Sequence, residues 1–384
     1  MKKWNLFNIL TALCCMVFVA SCSGNSGDED TPGTGGNVSG ELVLTATKSF
    51  ISADGQDATV FTVKKGNTDV TAEATIYKEN EVYSSTSFST ATAGDYVFFA
   101  SYEGEISKKI TIRATEGGTS GVPADPNPDQ FDGFKQRVVA IQSTGLGCIY
   151  CPMMIASIED YQKTDENTIF VAAHSTMMGA DEMANDYADA VNNYMGINGL
   201  PTLTINMKTG DLYQAGAYHN KDATVQEIAT VINNGMNDGC QANIAAAVSL
   251  SDDESTLTVH AKVKVAETAQ YRIAAWVLED NVYNDEQENY YGDALSGYDF
   301  THHDNVLRLS SSEKAYGDQL GQSSTLPQGS VNDYSCTLNL SDASISSLSN
   351  CRVVIIVTAP DGGKFAINNA VVCPIGETVA FEYE

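Results

Sequence analysis

Gly145-Leu146-Gly147-Cys148-Ile149-Tyr150-Cys151-Pro152 is the stretch on which the reading of this chain turns. An apolar run containing Val138, Val139 and Ile141 leads into it. A helical pattern leaves it, with Met154, Ile155, Ile158 and Tyr161 roughly on one face. Thiol–disulfide exchange needs a thiolate that attacks and a second thiol that resolves the mixed disulfide. Two intervening residues put both sulfurs within bridging distance at a helix start, where unpaired N–H groups and the macrodipole favour a negative sulfur. Cys148, ahead of the helix, is expected to be the attacking and more exposed sulfur, and Cys151 the resolving one. Pro152 suits the first turn, whose N–H groups have no intrahelical partner. Glu159 and Asp160 are acidic and Lys163 sits only at the far end of the helix, which weighs against a strongly activated thiol.

The flanking pattern over residues 131–240 reads as α/β. Strands are expected at 137–144, 168–174 and 200–205, with 211–214 pairing to the last. Helices are expected at 152–163 and 181–195, with a final helix capped by Asp222. This order places a parallel crossover between the first two strands. His174 ends the second of them, so it falls at the same sheet edge as the thiols, either lowering a thiolate pKa or serving as a structural histidine. A Cys-x-x-Cys after a strand and opening a helix resembles the thioredoxin fold, and Gly199-Leu200-Pro201-Thr202 resembles its cis-proline loop. The resemblance implies that Pro201 is cis and shapes a peptide groove, and that Leu200 offers its backbone to a bound peptide.

The address lies upstream. Lys2 and Lys3 precede an apolar run to Ala20 that is too short for a comfortable span, so residues 1–21 read as a secretory signal. Val19-Ala20-Ser21-Cys22 resembles a lipoprotein lipobox, which implies cleavage before Cys22 and membrane attachment through lipid on it. Residues 22–40 form the tether. Its acidic start resembles the surface-export signal of some Gram-negative lipoproteins, with a plain solvated linker as the alternative. The chain has 49 acidic against 21 basic residues, a formal net charge of −28. That balance argues against nucleic acid as a partner, since phosphates require neutralisation by Lys and Arg. No cofactor is implied.

Beyond the leader and Cys22, the cysteines are Cys148, Cys151, Cys240, Cys336, Cys351 and Cys373. An even set in an exported chain favours disulfides over metal. Cys240, Cys336, Cys351 and Cys373 are therefore candidates for structural disulfides, with three pairings open and Cys336–Cys351 one of them. His302-His303-Asp304 has the composition of a metal site, but adjacent strand residues point apart and no partner is spaced to close one, so it reads as a polar loop.

Residues 41–114 carry Val, Thr, Tyr and Phe between turn signals, a β-sandwich that resembles bacterial immunoglobulin-like modules. Residues 115–130 are a Pro/Gly linker. Residues 241–384 return to strands as a second β-sandwich or jelly-roll-like domain, interrupted by a long insertion at 280–307. The fold class is thus multidomain: immunoglobulin-like sandwich, thioredoxin-like α/β domain, β domain. The Cys-x-x-Cys and Leu200-Pro201 motifs, with Thr301-His302-His303-Asp304-Asn305-Val306-Leu307-Arg308 and Ala366-Ile367-Asn368-Asn369-Ala370, look like the outer-membrane-protein-28-related lipoproteins. That resemblance implies an outer-membrane lipoprotein, on the periplasmic or surface-exposed face, with adhesion or redox roles. Two functions stand side by side: thiol exchange with exported proteins through Cys148 and Cys151, or surface binding and adhesion with that pair as a static bridge.

Overall fold

Val138–Thr144 is buried at all seven positions, as expected of a strand covered on both faces. It runs parallel to Thr168–His174, from Val138 opposite Thr168 to Thr144 opposite His174. On its other side Thr202–Ile205 pairs antiparallel, followed by Leu212–Tyr213. The computed structural model describes residues 40–115, 121–208, 212–213 and 220–384. The signal, Cys22 and most of the tether lie outside the described residues.

Three helices flank these strands: α1 (Cys151–Gln162), α2 (Asp186–Met195) and α3 (Lys221–Met236). Alternation along Val138–Thr144 divides them. Val138 and Ala140 face α1 and α3, meeting Met154, Ile158, Ile228 and Ile232. Val139 and Ile141 face α2, meeting Ala188, Val191 and Met195. Two helix starts differ from the sequence expectation because asparagine does the capping. Asn185 accepts from the N–H groups of Tyr187 and Ala188, so α2 begins five residues later than 181. Asn220, not Asp222, caps α3 through Ala223 N–H.

The sheet does not stop at Thr168–His174. Val306–Ser310 joins its free edge, with Ala172 opposite Val306. Arg272–Glu279, Cys351–Asp361 and Lys364–Pro374 continue outward in a single nine-stranded sheet. The end of the segment expected to be an irregular insertion is therefore a strand, buried at all five positions. A four-stranded sheet, in the order Val331–Asn339, Thr256–Val265, Ala242–Leu250 and Thr378–Val379, closes over this C-terminal half. Val259, Val263, Ile273, Ala275, Val353 and Ile355 fill the space between the sheets.

Residues 42–115 form two further sheets around Leu42, Leu44, Phe61, Val63, Phe98 and Ile112. Glu254, on a turn of the C-terminal half, clamps this sandwich. Its carboxylate accepts from the N–H groups of Ser49 and Phe50 and from the Ser49 hydroxyl. The described part of the linker is also held. Lys264, with no exposed surface, donates through Nζ to Asp125 at 2.7 Å, the carbonyls of Asn127 and Pro128, and the Tyr383 hydroxyl. The same ammonium lies 4.4 Å from the centre of the Phe131 ring, where the ring quadrupole favours a cation.

The expected C-terminal disulfides are absent. Cys240, Cys336, Cys351 and Cys373 are free thiols. Cys336 lies in the four-stranded sheet, while Cys351 and Cys373 belong to the nine-stranded one. Cys373 sits opposite Val353, not Cys351, and such a diagonal separation of about 7–8 Å is too long for a bridge. Burial pushes the thiols of Cys240 and Cys373 up to about 12 and that of Cys351 higher still, so they act as small apolar residues.

Candidate functional site

The carboxyl end of Val138–Thr144 runs into the Gly-x-Gly turn, and a second loop presses on it there. A Cβ on Gly145 would lie 2.7 Å from the Ser175 carbonyl, and one on Gly147 would strike the carbonyl of Met178. Only glycine allows this approach. The turn delivers Cys148 and Cys151 to the start of α1 as a disulfide, with Cα atoms 5.4 Å apart. The Leu200–Pro201 peptide is cis. Pro201 is buried, and Leu200 is half-buried on the side of Gly145. The residues singled out from sequence thus converge on one sheet edge.

His174 arrives at the same edge, but its partner is a carboxylate rather than a thiol. Its Nδ1 is 2.8 Å from Asp181, and both side chains are buried. The same Asp181 oxygen accepts from Leu146 N–H at 3.0 Å, and the other accepts from Met183 N–H. Burial works against the Asp181 charge. The hydrogen bonds from His174 and the two backbone groups outweigh it, holding the carboxyl below the usual range. Asp181 thereby ties the histidine to the turn carrying Cys148. One more acid in so acidic a chain gave no signal in the sequence.

The expected exposure of Cys148 is not met. Cys148 is 1% and Cys151 0% exposed. The cover is the 284–300 arm of the insertion. Glu288 N–H donates to the Leu146 carbonyl and Tyr290 N–H to the Ile149 carbonyl, each at 2.9 Å. The Gln287 amide reaches the carbonyls of Leu146 and Cys148. Tyr150 packs against Tyr290 and Tyr291. Leu295 is buried against Met153 and Ala156 on α1. Lys221 and Tyr298 both bond Asp160, fastening the arm to α1 and α3. The arm thus lies against the backbone of the turn that carries the buried pair.

His302 and His303 do not meet as ligands. His302 pairs with Asp299, while His303 contacts the Asn284 carbonyl and meets His174 edge to face, with ring centres 5.6 Å apart. Among the described residues no group of three or more His, Cys, Asp or Glu is placed to hold a metal ion.

Fold and site define a β-rich, multidomain protein with a covered Cys-x-x-Cys at the edge of its long sheet. The family model for outer membrane protein Omp28 matches residues 188–378. Over those residues the chain is Omp28-related, and an outer-membrane address goes with that relationship. Among solved structures, HBP35 of Porphyromonas gingivalis is similar at 19% identity, TM-score 0.49, covering 65% of this chain and 79% of that one. A domain of the outer membrane lipoprotein Omp28 from Porphyromonas gingivalis is 20% identical, TM-score 0.22, over 35% of this chain and 88% of that one. Spo0M, a sporulation control protein from Bacillus subtilis, is 12% identical, TM-score 0.22, over 35% and 48%. No curated protein sequence matches the chain.

Proposed function

We propose that this is an outer-membrane lipoprotein, anchored through lipid on Cys22, that works by binding, with Cys148–Cys151 as a structural bridge in a thioredoxin-like segment. The observation carrying this reading is the burial of both sulfurs beneath the 284–300 arm. Exchange begins with a thiolate in line with the disulfide, and here both sulfurs are buried. The thioredoxin-like reading is supported by the strand order around Val138–Thr144, the pair at the start of α1 and the cis Leu200–Pro201 bond. The N-terminal sandwich is read as an immunoglobulin-like spacer, held by Glu254.

The second reading is thiol exchange with exported proteins, Cys148 attacking, Cys151 resolving and Pro201 shaping the groove. What favours it is the convergence of the pair and the cis-proline loop on one edge. It requires the arm to leave. Cys151→Ala, expressed in the envelope, separates the two. The binding reading expects no mixed disulfide through Cys148 while the protein is folded, with full alkylation of Cys148 in denaturant. A set of trapped exported proteins would establish exchange instead. For the anchor, Cys22→Ala is expected to move the protein into the soluble fraction, and undiminished membrane attachment would overturn lipidation there.

A further inference from the structure

The four-stranded sheet of the C-terminal half ends on Val331–Asn339, which pairs with Thr256–Val265 alone. At nine residues this strand is longer than the usual strand. Its ladder runs without a bulge from Val331 opposite Lys264 to Asn339 opposite Thr256. An open edge is a template for another strand, and sheets blunt it with Lys, Pro, bulges or shortness. The stretch Val-Asn-Asp-Tyr-Ser-Cys-Thr-Leu-Asn carries none of these devices.

Hydrogen bonds at the two ends of the strand fix which backbone groups point outward. Leu340 N–H donates to the Ser255 carbonyl, and Val265 N–H to the Ser330 carbonyl. Both pairs continue the register of the ladder. Hydrogen-bonded positions alternate along an antiparallel pair, so the even-numbered residues bond to Thr256–Val265. Val331, Asp333, Ser335, Thr337 and Asn339 therefore aim their N–H and C=O groups at the free edge. Nothing among the described residues bonds to those groups. The same five side chains are exposed, while Tyr334, Cys336 and Leu338 turn toward the core between the sheets.

The sequence of the strand itself says what fits there. Turned antiparallel about Ser335, it meets a second copy of itself over its whole length. Val331 then faces the copy's Asn339, and Asp333 faces the copy's Thr337, so no like charges stand opposite each other. Lys262 already holds Asp333 at 2.6 Å, which keeps this edge near neutral in a chain of net charge −28. On the core side, half-buried Tyr334 faces the copy's Cys336, so each covers apolar surface that the open edge leaves wet. We propose that two copies of this chain join along Val331–Asn339, antiparallel about Ser335, merging their four-stranded sheets into one. The seam is isologous, the same patch on both copies. It uses neither the cysteine pair nor the lipid anchor, so it stands or fails apart from the binding reading.

The test is sedimentation equilibrium of the detergent-solubilised full chain, with cysteine crosslinking to read the register. A particle of two chains is expected at about 100 μM, a concentration suited to a small interface. Ser335→Pro removes the central N–H from each copy, and Ser335→Lys sets like charges opposite each other. Ser335 points its N–H and side chain away from its own ladder, so both variants are expected to melt with the parent. Each is expected to weaken association at least about tenfold. Ser335→Cys is expected to crosslink to itself on mild oxidation, because a hydrogen-bonded antiparallel pair sets Cα atoms about 5.5 Å apart. Asp333→Cys and Thr337→Cys chains are expected to crosslink only when mixed. A chain that stays monomeric, association indifferent to both Ser335 variants, or an Asp333→Cys chain that crosslinks to itself would each overturn the proposal.

Discussion

Shortening Leu295 tests whether the arm is what protects the disulfide. Leu295 is 2% exposed and packs on Met153 and Ala156, with Tyr291, Tyr298 and Phe300 around it. Truncating a buried leucine costs about 2–5 kcal/mol. The small cluster, bordered by half-buried rings, places Leu295→Ala near about 2–3 kcal/mol. That loss falls on the closed arm and hardly touches the sheet core, so it raises the open population. Every 1.4 kcal/mol is a factor of ten, which makes the arm open about 30- to 140-fold more often. When reclosing outpaces the chemical step, attack tracks the open population. The assay is native-state reduction by dithiothreitol, quenched by alkylation and read by intact mass. Leu295→Ala is expected to be reduced about 30- to 140-fold faster, and Val82→Ala, at a 67% exposed position, at the parent rate. A Leu295→Ala rate within twofold of the parent would show that reductant reaches the sulfurs without moving the arm, refuting the reasoning.

Lys264→Met leaves Asp125 and two carbonyls without their ammonium, at a cost of about 2–3 kcal/mol by urea unfolding. That lies below the range for sealed pairs because Asp125 keeps 15% of its side chain exposed. The pair also sets a pH window. Burial opposes the Asp125 charge, but hydrogen bonding to Lys264 wins and lowers its pKa, so its stabilisation exists above about pH 4 and is lost as pH falls through the folded value. Burial likewise opposes the Lys264 charge, but Asp125 and Tyr383 raise its pKa, so that contribution is lost only as pH rises beyond about 10.4. The stability gap between parent and Lys264→Met is thus expected to be flat from about pH 5 to 10 and to shrink on acidification. Glu254→Ala removes three hydrogen bonds from residues 49–50. It is expected to speed proteolysis within residues 40–115 with little change in the melting of the C-terminal half.

Much of the site was legible because its chemistry is local. Thr168–His174 ends on the residue its apolar run predicts, and the glycines around Cys148 mark a backbone approach that the 175–179 loop makes. What escaped the sequence depends on contacts distant in the chain. Val306–Ser310 is buried on both faces, so it shows no alternation, and the polar His302–Asn305 preceding it reads as loop. The arm reaches the cysteine turn largely through carbonyls of Leu146, Cys148 and Ile149, which have no side-chain signature. The four C-terminal cysteines misled because an even count records opportunity, whereas register decides whether sulfurs meet.

The cover has a consequence for biogenesis. Gln287 follows Cys148 by 139 residues. Chains emerge and fold from the N-terminal side, so during export the two thiols meet an oxidising compartment before the segment that will roof them has arrived. Oxidation and enclosure are thereby separated in time by the order of the sequence itself. On that order the bond is expected to form while the turn is still open, and to be withdrawn from reductants once residues 284–300 have folded against it.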